Sequence, residues 1–183
     1  ISGGASGIGR AICDAFVASG ANVVCLDIDA NAASALPDGV AFVKGDTSSE
    51  DDCRNAVEFA IETFGALDVL INNASIQPPS SYAPLHEFPK ELWDRMVGVN
   101  FTGYSLLAKH ALPQMLRQQS GVIVNMASGQ AHRTARMVPA YGPIKAANLL
   151  QTRQWGVEYA RNGIRVVSVS PGAIRTPLVE ATL

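Results

Sequence analysis

The sequence predicts an α/β fold: an open, doubly wound sheet of mostly parallel strands with helices on both faces, three layers deep. Two patterns carry this expectation. Short segments rich in Val, Ile and Leu alternate along the chain with longer segments of helical period. The polar residues of the short segments cluster at their ends instead of alternating, as in strands buried on both faces of a parallel sheet. A length of 183 residues with 48% hydrophobic and 16% charged residues fits one domain with a substantial core.

The elements follow in order. A glycine-rich stretch, SGGASGIGR over residues 2–10, leads into a helix expected over 8–19. Strands are expected over 22–27 (NVVCLD) and 40–44, a helix over 50–64, and a third strand over 67–72. Residues 75–89 hold Pro78, Pro79, Pro84 and Pro89, which break both helix and ladder, so this stretch reads as irregular. It follows the carboxyl end of a strand, where open α/β sheets place their ligands. A helix over 102–119, a strand over 121–126, a second irregular piece over 129–140, a helix over 141–162 and a strand over 164–170 complete the series. A glycine loop of this kind needs a strand to launch it. The reading is therefore a single domain over 1–183 that lacks its first strand.

Bulk properties narrow the classes. A formal net charge of −2 with no Lys/Arg run gives no electrostatic case for nucleic acid or anionic membrane as partner. The apolar stretches are strand-length, far short of the ~18 residues of a membrane span, and no basic-then-apolar leader opens the chain. Cys13, Cys25 and Cys53 are odd in number and isolated in sequence, which points to a reducing compartment, with cytoplasm the expected location. His86 and His110 lack metal-ligand spacing, so no metal is expected.

The loop has its own chemistry. Gly3, Gly7 and Gly9 let the backbone turn tightly and approach a pyrophosphate without a Cβ in the way. The helix starting near Ile8 turns its free N–H groups toward the phosphates. No Gly-Lys-Ser/Thr follows, which disfavours a nucleoside-triphosphate loop. Asp27 ends the next strand, 18 residues past Gly9, where a carboxylate accepts hydrogen bonds from ribose hydroxyls. It would repel a 2′-phosphate, and Ser6 in the loop carries no charge to attract one. The pair favours NAD over NADP.

Further along stand Asn72-Asn73-Ala74, Asn100, Ser128, Tyr141-Gly142-Pro143-Ile144-Lys145 and Pro171-Gly172-x-x-x-Thr176. With the Gly-x-x-x-Gly-x-Gly loop, these resemble the motifs of the short-chain dehydrogenase/reductase family, in its order, from Ser2 to Thr176. The resemblance implies a Rossmann-like fold, an NAD cofactor and hydride transfer between that cofactor and a secondary alcohol or ketone. It implies cofactor contacts from Gly3, Ser6, Gly7, Ile8, Gly9, Asp27, Ile28, Asp46, Thr47, Asn73, Ala74, Tyr141, Lys145, Pro171, Gly172, Ile174 and Thr176. Asp46 and Thr47 should lie near the adenine, and the Pro171–Thr176 group near the nicotinamide. Ser2 stands where the family often has Thr, and Ser75 replaces the Gly that usually follows Asn-Asn-Ala. The resemblance implies that the expected domain over 1–183 also lacks the family's C-terminal substrate-lid segment. The resemblance also implies a homo-oligomer, a dimer or tetramer paired through helices 102–119 and 141–162, with Ala108, Ala111, Ala146 and Ala147 permitting close approach.

The catalytic expectation is Asn100, Ser128, Tyr141 and Lys145. A free tyrosine, with pKa about 10, is a poor base at neutral pH. Lys145, four residues on, shares a helix face with Tyr141, and an ammonium there would favour the phenolate. Ser128 can donate to the substrate oxygen in the manner of an oxyanion donor. By resemblance, Asn100 holds a water that links Lys145 to solvent. Trp93, Trp155 and Phe101 read as core or interface, and His132, Arg133 and Arg136 as solvated loop charges. A sugar-nucleotide epimerase of the extended branch would want glycine at Ser6. A non-catalytic NAD-binding module would not need Ser128, Tyr141 and Lys145 together.

Overall fold

Five short strands and six helices alternate in the computed structural model, which describes residues 1–180. The strands are β1 (Val23–Asp27), β2 (Val40–Lys44), β3 (Val69–Asn72), β4 (Gly121–Met126) and β5 (Ile164–Val169). The helices are α1 (Gly7–Ala18), α2 (Glu50–Phe64), α3 (Lys90–Val97), α4 (Gly103–Gln118), α5 (Tyr141–Tyr159) and the short α6 (Pro177–Glu180). Every strand pair is parallel, β1 with β2 and β3–β4–β5 in order. The expected α/β architecture is what the chain adopts.

Strand parity shows why helices cover both faces. Val23 and Cys25 on β1 pack with Cys13 and Phe16 of α1, whereas Leu26 packs with Cys53, Ala56 and Val57 of α2. Odd and even residues of a strand point to opposite faces, so α1 and α2 lie on opposite sides of the sheet. The main core gathers α2 and α4 over β3 and β4, with Ala108, Ala111, Met115 and Ile123 at most 1% exposed. Ala108 and Ala111 therefore face inward and are not available for close approach between subunits. The three cysteines are buried free thiols. Cys13 and Cys25 are isolated in sequence but not in space: a methyl built on Gly4 would lie 2.8 Å from the Cys25 sulphur and 3.0 Å from that of Cys13.

The two parts of the sheet are joined by residues 1–3. Leu26 N donates to Ile1 O (2.9 Å), Gly3 N to Leu26 O (2.8 Å) and Ser2 N to Ile71 O (3.0 Å), so one extended stub bonds to both β1 and β3. Beside it lies an apolar slot of about 370 Å³ lined by Val24, Val57, Phe64, Val69 and Leu70. The glycine loop leaves this stub at the carboxyl ends of β1 and β3, the crevice where such sheets bind ligands.

Two differences from the expected elements bear on the site. The sequence reading assigns no element to residues 90–101, yet α3 fills 90–97 and a π-helical turn (Gly98–Thr102) joins it to α4. An eight-residue helix with one buried side chain, Met96, is too short for its period to stand out. The irregular stretches contain 3₁₀ turns at Pro79–Ser81, Leu85–Glu87 and Gly129–Ala131. Phe88 and Trp93 meet edge to face at 6.2 Å, in the cluster with Met96 and Ile144. Among the described residues no helix is long and apolar enough to cross a membrane.

Candidate active site

One cleft of about 270 Å³ runs across the carboxyl ends of β1, β3 and β4. At one end the glycine loop turns into α1. Gly3 and Gly7 take positive φ values of 62° and 52°, which cost a residue with a Cβ but not glycine. A Cβ on Gly9 would stand 2.0 Å from Gly3 O, so only glycine lets the helix start this close to the loop. Ser6 caps α1 without a side-chain hydrogen bond, and the first turn holds no acidic residue. The leading N–H groups therefore face the cleft without a competing carboxylate, an arrangement suited to an anion.

The loop is pinned from β3. Asn73 Nδ2 donates to Ser2 O (3.0 Å) and Gly3 O (3.1 Å), and Ser2 Oγ accepts from Asn73 N (3.0 Å) and Ala74 N (3.1 Å). Asp27, at the end of β1, accepts from Ala5 N (3.0 Å) through one oxygen and Asp29 N (3.1 Å) through the other. Each oxygen keeps a lone pair for a further donor. Asp46 accepts from Ser48 N (2.9 Å) and Ser48 Oγ (2.7 Å), and from Arg95 on α3 (2.7 Å). Partial burial alone would raise the Asp46 pKa; these donors outweigh it and hold the carboxyl below the usual range.

At the other end, Tyr141 begins α5 and Ser128 follows β4. Ser128 Oγ accepts from Gln130 N (3.1 Å), capping the 3₁₀ turn. Lys145 is 1% exposed, and its Nζ donates to Met126 O (2.7 Å) and Tyr104 Oη (3.1 Å). Burial pushes its pKa down to about 7. The four-residue spacing does bring Lys145 beside Tyr141, with Nζ 5.7 Å from the ring centroid. Burial raises the Tyr141 pKa, and the nearby hydroxyls of Ser75 and Ser128 act in the opposite direction.

Asn100 sits in the π-helical turn, whose extra residue re-aims its neighbours. Its side chain accepts from Ile76 N (2.7 Å) and donates to Ile76 O (2.9 Å), and its carbonyl accepts from Asn148 Nδ2 (3.0 Å). The side chain thus clamps the segment after β3 and is not directed at Lys145.

Of the residues singled out from the sequence, Gly3, Ser6, Gly7, Ile8, Asp27, Ile28, Asp46, Thr47, Asn73, Ala74, Ser128, Tyr141, Lys145, Pro171, Gly172, Ile174 and Thr176 all line this cleft. Gly9 and Asn100 stand behind its wall. Ser75 and Arg95 also line the cleft and Tyr104 supports Lys145, three roles that sequence reasoning missed. Only Ser75 carries a signal, as a departure from the motif. Arg95 looks like any solvated helix charge, and Tyr104 like any core aromatic. His132, expected in a solvated loop, lies 3.2 Å from Ser170 Oγ through Nε2.

The family model for short chain dehydrogenase matches residues 1–183. The chain belongs to the short chain dehydrogenase family. This short chain dehydrogenase is 38% identical over 188 residues to 2-(R)-hydroxypropyl-CoM dehydrogenase of Xanthobacter autotrophicus, covering 98% of the chain and 75% of the relative. It is 40% identical over 190 residues to cis-4-hydroxycyclohexanecarboxylate dehydrogenase of Sinomonas cyclohexanicum, covering 98% and 74%. In structure it is similar to 3-ketoacyl-(acyl-carrier-protein) reductase from Brucella melitensis complexed with NADH. The TM-score there is 0.92 at 32% identity, covering 98% of this chain and 76% of that one. The chain is thus an oxidoreductase of a family that acts on CH–OH groups with a nicotinamide cofactor.

Proposed function

We propose that this enzyme transfers a hydride between NAD(H) and a secondary alcohol or ketone, with Tyr141 as general base in oxidation and general acid in reduction. The observation that carries this reading is that one cleft holds the Tyr141 phenol and Ser128 hydroxyl at one end and the Gly3–Gly7 loop and Asp27 at the other.

The cleft's residues fit a dinucleotide. The α1 N-terminus takes the pyrophosphate, Asp27 the adenosine ribose, Asp46 and Thr47 the adenine side, and Pro171, Gly172, Ile174 and Thr176 the nicotinamide side. The nicotinamide, when bound, supplies the hydride acceptor or donor. Ser128 Oγ already accepts from Gln130 N–H, so its own proton is left to donate to the substrate oxygen and polarise it. Tyr141 takes the alcohol proton or returns it. Two of the three Lys145 donors are engaged by Tyr104 and Met126; the third is left for a cofactor hydroxyl. Asn100 fixes the wall through Ile76, and the second lone pair of its carbonyl is the anchor for a relay water.

The family resemblance, a 3-ketoacyl reductase neighbour complexed with NADH, and the Asp27 carboxylate all support NAD as the partner. The test is a panel of secondary alcohols and ketones followed at the NADH absorbance, with NAD and NADP in parallel. Turnover is expected with NAD at least about tenfold above that with NADP, a difference of ~1.4 kcal/mol. Asp27→Ala should narrow that ratio; an unchanged ratio would remove Asp27 as the reader.

The same reading takes the chain as one catalytic unit over 1–183, active in the cytoplasm as a homo-oligomer. The apolar slot beside residues 1–3 suits a further parallel strand. Leu150 and Val157, 67% and 82% exposed on α5, are the apolar surface that a second copy would cover.

A further inference from the structure

Position 75 carries a serine where the motif resemblance expects glycine, and the structure holds that residue on both sides. Ala74 N donates to Ser2 Oγ at 3.1 Å, while the N–H and carbonyl of Ile76 both bond to the Asn100 side chain, at 2.7 and 2.9 Å. Pinned between two clamps, the backbone leaves the Ser75 Cβ little choice of direction. Residue 75 is not among those with positive φ, so no glycine freedom is needed there and a serine sits without strain. Its Oγ is buried with no hydrogen-bond partner among the described residues, and the residue lines the cleft with Tyr141 and Ser128. Native proteins leave few buried hydroxyls in that condition, and those they keep call for an explanation.

We propose that Ser75 is a third hydroxyl of the reaction centre, donating a hydrogen bond to the Tyr141 oxygen when that oxygen is ionised. The proposal rests on the reading of Tyr141 as the acid–base residue. No proton leaves Ser75: in oxidation the alcohol proton passes to the Tyr141 oxygen, and Ser75 keeps its own while favouring the charged form that must exist beforehand. The influence of Ser75 on Tyr141 already has this sign, opposing the effect of burial. Two of the Lys145 donors go to Tyr104 and Met126 and the Ser128 proton to the substrate oxygen, whereas the Ser75 hydroxyl in the same cleft is uncommitted.

The test uses the full chain grown with a fluorinated tyrosine, whose phenol ionises at lower pH. The fluorine resonance of position 141 is assigned by its loss in Tyr141→Phe. In Ser75→Ala and Ser75→Gly the ionisation midpoint of that resonance should rise by about one pH unit. The acid limb of kcat/KM for oxidation should move with it, giving about a tenfold loss below the midpoint. Ser75→Thr, which keeps the hydroxyl, should restore both, and NADH affinity should stay within about twofold throughout. A midpoint unmoved in both Ala and Gly variants overturns the proposal. So does one displaced equally in the Thr variant, or an NADH affinity that falls in step with activity as a merely structural role would require. Full turnover in Tyr141→Phe is a separate outcome, which removes the acid–base reading itself and with it the catalytic meaning of Ser75.

Discussion

Lys145 keeps an amine where 1% of its surface reaches solvent, with one hydroxyl and one carbonyl for company. Desolvation disfavours the charged form, which is why its pKa falls from 10.5 to about 7. Between those values the unfolded chain binds a proton that the folded chain refuses, so folding loses stability as pH falls from above 10 toward 7. Below 7 both states are protonated and the cost is constant. Lys145→Met should therefore stabilise the fold at pH 7 by about 1–3 kcal/mol while abolishing turnover. Melting curves across pH 7–10 check this: the gap between variant and wild type should shrink as pH rises. A variant that melts lower at pH 7 contradicts it. The spacing of Tyr141 and Lys145 was legible in the sequence because one helical turn separates them. Tyr104, the hydroxyl that Lys145 bonds, lies 41 residues away and nothing local announces it.

At the scale of elements, the glycine loop depends on β3. The two bonds from Asn73 Nδ2 to Ser2 O and Gly3 O are what hold its backbone against the strand end. Asn73→Ala leaves those carbonyls without that donor and frees the loop, and NADH affinity should fall about tenfold or more, with a loss of stability on the order of 1–2 kcal/mol. Calorimetric titration reads the first and thermal melting the second; unchanged affinity would show that the loop holds its shape alone. The five strands were legible because each is a compact Val/Ile/Leu run bounded by turn residues. Helix α3 was not, and the site feels the difference: α3 delivers Arg95 to Asp46, and the π-helical turn after it carries Asn100. Such a turn is set by packing against Ile76 and Asn148, not by local propensity.

At the scale of the whole molecule, two parallel sheet segments meet along residues 1–3, and the cleft opens where they meet. Alternation of elements made this architecture readable in advance, since parallel strands joined by helices admit few arrangements. The inward packing of Ala108 and Ala111 was not readable, because small residues suit a core and an interface equally. An oligomer must therefore rest on other groups, and Val157 is the most exposed of the large hydrophobic residues on α5. Sedimentation should give a dimer or tetramer, and Val157→Glu should shift it toward monomer; an unchanged distribution would place the interface elsewhere. The central claim, that the Tyr141 phenol moves the proton, is tested most directly by Tyr141→Phe. NADH binding and the active alcohol are measured on the same preparation. NADH affinity should remain within about threefold of wild type while kcat falls by ~10²–10⁴. Turnover equal to wild type with intact NADH binding would contradict the account.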